Sequence, residues 1–298
     1  MHFLVLALKE REEKYSLKVQ FSDLILCRIG SGRITILLGT STAGKTSIIQ
    51  NMLRMKEGLV DHSLDNMVSD RIGVMFKEFS LDLYNKLVKY VTPDRINGII
   101  FGDSIEGPEE LQSAIIQARA AKEKFLDGRN WRAIFNEIYE DIITSSVEGK
   151  DVVFDTVMIE QLEDFLSKNF KAPIRIVLIF CPLLKLTQRM LHRNAEAEET
   201  GAILNKRHIN HFLQYAKLYC KRQRKEVPLL EEVTKYDALQ SFRMFTKDHE
   251  QETKFLDSLG LDDKTDKVEI TLRWPYITDP YVIDSSRAEP SKIAKLLL

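Results

Sequence analysis

Cysteine is scarce in this chain, and the residues present do not form pairs. The 298 residues contain Cys27, Cys181 and Cys220, an odd number spread along the sequence. A disulfide framework needs paired cysteines, and a structural zinc site needs cysteine or histidine ligands at short spacings; neither pattern occurs. The cysteine usage therefore predicts a protein of a reducing compartment, and we expect a cytoplasmic location.

Net charge is also nearly absent. Lysine and arginine total 43 and aspartate and glutamate total 44, which leaves a formal net charge of −1. A protein that relies on an overall positive field to bind nucleic acid needs a clear excess of basic residues. We therefore expect no nucleic-acid partner. The net charge does not exclude local clusters of basic residues.

The sequence has no apolar run long enough to cross a membrane. The opening segment Phe3–Leu8 is apolar but short, no basic segment precedes it, and the charged segment Lys9–Lys14 follows it. A membrane-spanning helix needs about 20 apolar residues, and a Sec-type signal begins with basic residues. We interpret the segment as a strand and predict neither a Sec-type signal peptide nor a membrane span.

A glycine-bounded motif is the most informative stretch that is present. The sequence from Gly39 to Thr46 matches the pattern G-x-x-x-x-G-K-T. Before it, Ile34–Leu38 has the apolar and β-branched composition of a buried strand. After it, apolar residues recur at helical spacing from Thr46 to about Glu57, and Gly58 follows the predicted helix end. A strand, a loop and a helix in this order predict a phosphate-binding P-loop, and the alternative is a glycine-rich turn that only joins strand to helix.

The backbone of this motif is suited to phosphate. Glycines let successive N–H groups point inward, and the first helical turn adds unpaired N–H groups and the positive end of its dipole. We expect Lys45 to reach the β and γ phosphates of ATP and the Thr46 hydroxyl to ligate the magnesium ion that bridges them. The candidate nucleotide-binding residues are Gly39, Thr40, Ser41, Thr42, Ala43, Gly44, Lys45, Thr46 and Ser47.

A second motif places a carboxylate at the end of a strand. Val152–Thr156 is an apolar strand pattern that follows an amphipathic helix beginning near Asn130, and Asp155 stands at its carboxyl end. The carboxyl ends of strands face the ligand crevice in an open α/β sheet. Asp155 is therefore predicted as a second magnesium ligand, the Walker B role, and the alternative is an ordinary strand end.

These elements predict an α/β fold of the P-loop NTPase type, in which helices flank a parallel sheet. A further strand is predicted at Ile174–Phe180. We expect one kinase-like domain over residues 1–298, with an added hairpin at 1–33 and helical insertions at 71–129 and 222–272. The second insertion is strongly charged, and such runs usually form solvated helix faces.

Four segments of the chain resemble the chloramphenicol phosphotransferase-like P-loop kinases. They occur in the order of that family, and the resemblance covers about half of the chain; the segments are Ile36–Ser47, Val152–Thr156, Cys181–Arg193 and Tyr281–Ser286. The resemblance implies ATP binding by the P-loop, an aspartate at the end of the second strand that acts as base on the acceptor hydroxyl, and lid arginines that contact phosphates. The chain departs from the family at the Walker B position, where the family has two adjacent acidic residues and only Asp155 is acidic here.

The resemblance gives roles to two arginines of one predicted helix. Arg189 and Arg193 are four residues apart and share a helix face. By the resemblance, Arg189 contacts the nucleotide and Arg193 offsets charge on the phosphoryl group during transfer. The acidic segment Ala195–Gly201 is predicted to be a mobile lid, whereas Lys206 and Arg207 are interpreted as solvated charges.

Four aspartates are candidates for the base. The apolar segment Leu64–Ser69 is predicted as the second strand, which puts Asp70 at its carboxyl end and makes this residue the first choice. Asp65, at the start of that strand, is the second choice. Asp61 is interpreted as a loop residue, and Asp103 lies inside an expected insertion.

The motifs leave three functions open. The first is a magnesium-dependent kinase that moves the γ-phosphoryl group of ATP to a hydroxyl of a small molecule. The second is a kinase or nucleotidyl transferase with a protein or nucleotide acceptor, and the third is a nucleotide-binding module with little turnover. A GTPase of the signalling type is disfavoured because the nearest N-K-x-D candidate, Asn205–His208, ends in the wrong residue.

Overall fold

The computed structural model describes residues 32–100, 105–126, 128–157, 159–167, 172–199, 208–273 and 281–298. These residues form two compact units. The first unit takes the described parts of Met1–Asp61, Ser145–Arg193 and Lys206–Leu298, and the second takes those of His62–Thr144 and Asn194–Asn205. The predicted hairpin at 1–33 lies outside the described residues except for its last two positions.

Strands and helices alternate through much of the described chain. In chain order the strands are β1 (Ile34–Leu38), β2 (Val60–Asp61), β3 (Val152–Thr156), β4 (Ile174–Phe180), β5 (Tyr219–Lys221), β6 (Glu231–Thr234), β7 (Lys267–Leu272) and β8 (Tyr281–Asp284). The helices are α1 (Lys45–Met55), α2 (Leu64–Phe79), α3 (Leu81–Val88), α4 (Ile96–Ile100), α5 (Glu109–Phe125), α6 (Gly128–Val147), α7 (Ile159–Leu166), α8 (Leu183–Glu199), α9 (His208–Leu218), α10 (Lys235–Arg243), α11 (His249–Leu259) and α12 (Pro290–Leu297). A short 3₁₀ helix occupies Pro93–Arg95.

The first unit is built on a five-stranded parallel sheet with the strand order β2-β3-β1-β4-β8. Strand β1 is central and fully buried, which explains its sequence of isoleucine and leucine residues with the single threonine Thr35. Its register sets Leu37 opposite Asp155 on β3 and opposite Val177 on β4. The expected α/β fold with a parallel sheet is confirmed, and three of its strands lie where the sequence predicts them.

Helices pack against this sheet through faces that carry short rows of apolar residues. Helix α1 packs against β3 and against α12 at the end of the described chain. The buried residues of the two helices are Ile48, Ile49 and Met52 on α1 and Ile293, Ala294 and Leu297 on α12. Gly58, with a φ of 76°, allows the chain to turn beyond α1 towards β2, as the sequence predicts.

The charged segment 222–272 is only partly helical, so its prediction as a helical insertion is half wrong. Strands β6 and β7 join β5 in a three-stranded antiparallel sheet with the order β5-β7-β6. Its helices bury an aromatic cluster in which the ring centroid of Phe212 lies 5.3 Å from that of Phe242 and 5.4 Å from that of Phe255. The many charges of the segment concealed this apolar periodicity.

The predicted second strand at Leu64–Ser69 is wrong, because these residues begin helix α2. Leu64, Ile72 and Phe76 recur at multiples of four and are all buried, so the helical stripe extends back to the start of the segment. The second strand of the sheet is the two-residue β2 instead. Helix α2 belongs to the second unit, where the Phe76 ring lies 5.3 Å from that of Phe125.

The expected insertion at 71–129 contains α3, α4 and α5, and the described part of the second unit is helical throughout its regular elements. Helix α8 continues to Glu199, so the first residues of the predicted mobile lid are helical. Among the described residues, no helix has the length and apolar composition needed to cross a membrane.

Candidate functional site

The loop between β1 and α1 has a backbone that requires glycine at both ends. We call residues Gly39–Gly44 the glycine loop. A Cβ atom at Gly39 would lie 2.4 Å from the carbonyl oxygen of Ile179 on β4, which is closer than atoms can approach. Gly44 has a φ of 97° and precedes the helix, and Thr42 also has a positive φ of 64°. The pattern of the motif is therefore explained by the packing of the central sheet and by the turn into α1.

Helix α1 begins without a side-chain cap. Gly44 occupies the cap position, and the first turn contains no acidic residue. The N–H groups of the first turn have no intrahelical partners in any α-helix, and they carry the positive end of the helix dipole. This helix start is therefore suited to an anion.

Lys45, the first residue of α1, folds its side chain back over the glycine loop. Its Nζ atom donates hydrogen bonds of 2.9 Å to the carbonyl oxygens of Gly39 and Thr40. The side chain is 5% exposed, and Nζ also lies 3.7 Å from the Asp155 Oδ2 atom. The ammonium group is thus fixed at the carboxyl end of the central strand.

Asp155 and Thr46 are the predicted magnesium ligands. Asp155 is placed beside Lys45 by the pairing of β3 with β1, and its side chain is 16% exposed. Thr46 follows Lys45 in α1 and is exposed. The described residues contain no group of three or more histidine, cysteine, aspartate or glutamate side chains arranged to hold a metal. A carboxylate and a hydroxyl are nevertheless oxygen ligands of the kind that magnesium prefers.

Arg189 holds the glycine loop in place through hydrogen bonds to its backbone. From helix α8 its Nη1 atom donates to the carbonyl oxygens of Ala43 at 3.0 Å and Thr42 at 3.4 Å. The same guanidinium donates to Ser285, with Nη1 3.0 Å from the hydroxyl and Nη2 2.7 Å from the carbonyl oxygen. The residue predicted to contact the nucleotide therefore directs its donors to backbone oxygens, and it ties the loop to the turn after β8. Arg193, one turn further along α8, is exposed.

Helix α9 supplies a contact that the sequence analysis missed. The Gln214 Oε1 atom accepts a hydrogen bond of 3.3 Å from the backbone N–H of Ser41. One side chain from a distant helix thus reaches the middle of the glycine loop. No local pattern around Gln214 signals this contact, because it depends on the fold of the intervening 172 residues.

A half-buried carboxylate near this site was also missed. Glu231, the first residue of β6, accepts hydrogen bonds from the Leu183 backbone N–H at 3.0 and 3.2 Å and one from the Tyr215 hydroxyl. Leu183 begins α8, so the carboxylate caps the helix that carries Arg189. Burial raises the pKa of Glu231 to about 7, against the lowering effect of these hydrogen bonds. Burial also raises the pKa of the nearby Cys181 thiol to about 11, so this thiol stays protonated at neutral pH.

The candidates for the base do not lie where the sequence placed them. Asp70 is an exposed residue inside helix α2 and not a strand end, and Asp65 lies in the first turn of the same helix. Asp61, interpreted as a loop residue, ends strand β2 and is exposed. Asp103, together with Lys206 and Arg207, lies outside the described residues.

Comparisons with known proteins do not assign the chain to a family. No family model matches the sequence, and no curated protein matches it. Among solved structures, a chain of the structure described as "Structure of the Pnkp1/Rnl/Hen1 RNA repair complex" resembles this chain with a TM-score of 0.34 and 14% sequence identity. The match covers 90% of this chain and 84% of that one. A likeness of this size assigns no activity, so a function has to be argued from the site itself.

Proposed function

We propose that the chain is a P-loop phosphotransferase, an enzyme that moves the γ-phosphoryl group of ATP to a hydroxyl acceptor with the help of magnesium. The observation that carries this proposal is the position of Lys45. A buried ammonium group lies at the carboxyl end of the central parallel strand, over a glycine loop and beside a carboxylate on the neighbouring strand. This is the edge of an α/β sheet at which ligands bind.

Phosphate binding follows from the charges and donors that meet there. The N–H groups of the first turn of α1 offer fixed donors, and Lys45 adds a full positive charge. We propose that Lys45 exchanges its hydrogen bonds with the Gly39 and Thr40 carbonyls for bonds to phosphate oxygens. A phosphate oxygen carries a full negative charge and a carbonyl oxygen only a partial one, so the ammonium group is attracted more strongly to phosphate, which favours the exchange.

Magnesium fits the available ligands. The Thr46 hydroxyl and the Asp155 carboxylate would hold the ion, since magnesium is usually bound by one or two carboxylates together with substrate phosphates and water. When bound, the ion would offset the negative charge that the phosphates carry during transfer. The role of Asp155 beside Lys45 is to orient the ammonium group and to contribute a carboxylate oxygen.

Arg189 has a positioning role in this proposal. Its four hydrogen bonds hold the glycine loop in register with the turn after β8, so it fixes the loop donors before phosphate arrives. Preorganised donors contribute most to phosphoryl transfer because the reaction is mainly positioning and charge stabilisation. Arg193 keeps its proposed role in offsetting charge on the transferred group from an exposed position.

The aspartate that serves the acceptor hydroxyl is reassigned. Among the three candidate aspartates that the structure describes, Asp61, Asp65 and Asp70, Asp61 is the one at the carboxyl end of a strand of the parallel sheet. Its register partner on β3 is Val153, two residues before Asp155, so the Cα atoms of the two aspartates are offset along the strands by roughly 7 Å. We propose Asp61 in place of Asp70 as the residue that orients the acceptor hydroxyl.

The order of the motifs also supports membership of the chloramphenicol phosphotransferase-like family as part of the proposal. The first alternative is a kinase or nucleotidyl transferase with a protein or nucleotide acceptor. The second alternative is a nucleotide-binding module with little turnover. Kinases with a small-molecule or a macromolecular acceptor both release ADP, a nucleotidyl transferase releases pyrophosphate, and a binding module releases neither. The phosphorylated acceptor separates the two kinds of kinase.

The test is to incubate the purified chain with magnesium and ATP and to quantify ADP and pyrophosphate by chromatography. The proposal expects ADP, at a rate that depends on magnesium and falls sharply in Lys45→Ala. Lys254→Ala is the matched control, because Lys254 is an exposed lysine on α11 that pairs with Glu250 on the same helix. Pyrophosphate as the main product would identify a nucleotidyl transferase, and tight ATP binding with neither product would identify a binding module.

A further inference from the structure

A cavity of about 250 Å³ lies beyond the carboxyl end of strand β3. One of its walls begins with Val157, two residues after Asp155, and continues to Glu160 in the first turn of α7. The other wall is a single face of α9, where Asn210, Leu213, Gln214 and Lys217 are spaced as helical neighbours. The cavity therefore opens beside the strand that carries the proposed magnesium ligand.

Gln214 connects this cavity to the glycine loop. The same side chain that lines the cavity accepts the hydrogen bond of 3.3 Å from the Ser41 backbone N–H. A molecule held by Gln214 would thus lie next to the loop that we propose binds the phosphates of ATP. An acceptor must occupy this kind of position, because transfer requires its hydroxyl oxygen close to the γ phosphorus.

The lining indicates the chemical class of the acceptor. Its polar side chains are two amides, one carboxylate and one ammonium group, namely Asn210, Gln214, Glu160 and Lys217. Amides and a carboxylate accept bonds from hydroxyl groups, amides and an ammonium group donate to them, and the two charges cancel. Apolar Val157 and Leu213 complete the walls and suit the C–H faces of a small ring.

Two other acceptor classes fit this lining poorly. A nucleotide or a nucleic-acid strand brings phosphate charges, which are normally met by several basic residues, whereas Lys217 is the one basic side chain among the described lining residues. Bases are commonly held by aromatic side chains, and the described lining contains none. The volume is also below the roughly 300 to 1,000 Å³ typical of sites for drug-sized ligands.

We propose that this cavity is the acceptor site, that it takes an uncharged polyhydroxylated small molecule about the size of one sugar ring, and that Gln214 positions this molecule against the glycine loop. This inference rests on the proposed function. In the transfer, the acceptor hydroxyl oxygen forms a new bond to the γ phosphorus, the bond from that phosphorus to ADP breaks, and the hydroxyl proton passes to a carboxylate or to water.

The experiment supplies four polyols, glycerol, D-ribose, D-glucose and myo-inositol, with magnesium and ATP, and detects phosphorylated products by mass spectrometry. Uridine monophosphate and an oligonucleotide with a free 5′ hydroxyl serve as acceptors of the other classes. We expect transfer to at least one polyol. Gln214→Leu should lower the ratio of polyol transfer to ATP hydrolysis by about tenfold, the loss expected for one hydrogen bond that orients the acceptor.

The control variants separate positioning from a general loss of structure. Gln240→Leu changes an exposed glutamine on α10 and should leave the ratio unchanged. Leu213→Trp fills the cavity and should abolish polyol transfer. Because a tryptophan at this half-buried position can impair folding, Asn210→Ala at an exposed position is a second cavity variant, and thermal melting checks all of them.

Three outcomes would overturn the inference: no polyol is phosphorylated, one of the two other acceptors is the better substrate, or transfer is unaffected by both cavity variants. The failure of the proposed function is distinguishable from these outcomes. It would appear as absence of ADP formation and of magnesium-dependent ATP binding in the wild-type chain, whichever acceptor is present.

Discussion

The Nζ atom of Lys45 lies 3.7 Å from the Oδ2 atom of Asp155. Asp155 lies near the carboxyl end of β3, and Lys45 begins the helix that follows the adjacent parallel strand β1. The ammonium group is 5% exposed and the carboxylate 16% exposed. A pair with this little exposure is costly to break, since removing one partner leaves a buried charge uncompensated. The pair is therefore expected to contribute both to the stability of the fold and to the proposed catalysis.

Lys45→Ala is predicted to impair both properties. ADP formation should fall by at least about 10²-fold, as expected when a fixed positive charge at the phosphates is lost. The free energy of unfolding should fall by about 1 to 3 kcal/mol, because the Gly39 and Thr40 carbonyls lose their shared donor. Chromatography of ADP and urea denaturation measure the two effects. ATP turnover near the wild-type rate in a folded Lys45→Ala protein would refute the kinase proposal.

Thr46 and Asp155 are predicted to act on the same magnesium ion. If they do, the loss in turnover for Thr46→Ala combined with Asp155→Asn should be much smaller than the sum of the two single losses, because either change already disrupts the ion. A double-mutant cycle on ADP formation at saturating magnesium measures this coupling. Additive losses would show that Asp155 is only the end of a strand.

The core of the fold could be predicted because its residues are governed by local patterns. Strand β1 and strand β3 are buried apolar runs beside glycine or charged turns, and the helix after the glycine loop shows a clear apolar stripe. The lysine and the carboxylate of the candidate site follow from these strands, since parallel neighbours bring their carboxyl ends together.

The features of the fold and of the site that the sequence did not predict depend on tertiary contacts, which no local sequence pattern encodes. The segment at Leu64–Ser69 is six residues long, and an apolar run of that length is ambiguous between a strand and a buried helix start. The contact of Gln214 with Ser41 joins residues 173 positions apart, and that of Glu231 with Leu183 joins residues 48 positions apart. Both contacts are set by tertiary packing alone.

The reassignment of the acceptor aspartate gives a direct comparison of two variants. Asp70→Asn changes an exposed residue in the interior of α2, so we expect transfer and the unfolding free energy to stay close to wild type, within about 0.5 kcal/mol for stability. Asp61→Asn changes the carboxylate at the end of β2 and should lower transfer by about 10² or more while ATP binding is retained.

The measurement for both variants is acceptor phosphorylation under single-turnover conditions, with ATP affinity determined separately by titration. A larger loss in Asp70→Asn than in Asp61→Asn would return the role to the helix α2 residue. Equal and small losses in both would mean that the acceptor needs no carboxylate from this group.

Glu231 introduces a dependence of stability on pH. Its carboxylate faces the N–H of Leu183 at the start of α8 and the hydroxyl of Tyr215 on α9. Four further ionisable groups interact with it: Asp284 at the end of β8, Asp237 on α10, Tyr219 on β5 and Cys181 after β4. Burial is the largest effect and the two aspartates add to it, so the pKa in the folded protein is about 7, above the ordinary value of 4.5.

A carboxyl group whose pKa is raised by folding binds a proton more readily in the folded protein than in the unfolded chain. Its contribution to stability is therefore complete below about pH 4.5 and is lost as the pH rises through about 7. Between pH 5 and pH 8, the free energy of unfolding of the wild type should fall by about 2 to 3 kcal/mol more than that of Glu231→Gln, whose amide still accepts from Leu183 and Tyr215. Urea denaturation across this range measures the difference, and Glu232→Gln is the control, because Glu232 is the exposed neighbour on β6 that pairs with Lys267.

Parallel pH profiles for the wild type and Glu231→Gln would show that Glu231 is ionised throughout the range and that the cap of α8 is permanently charged.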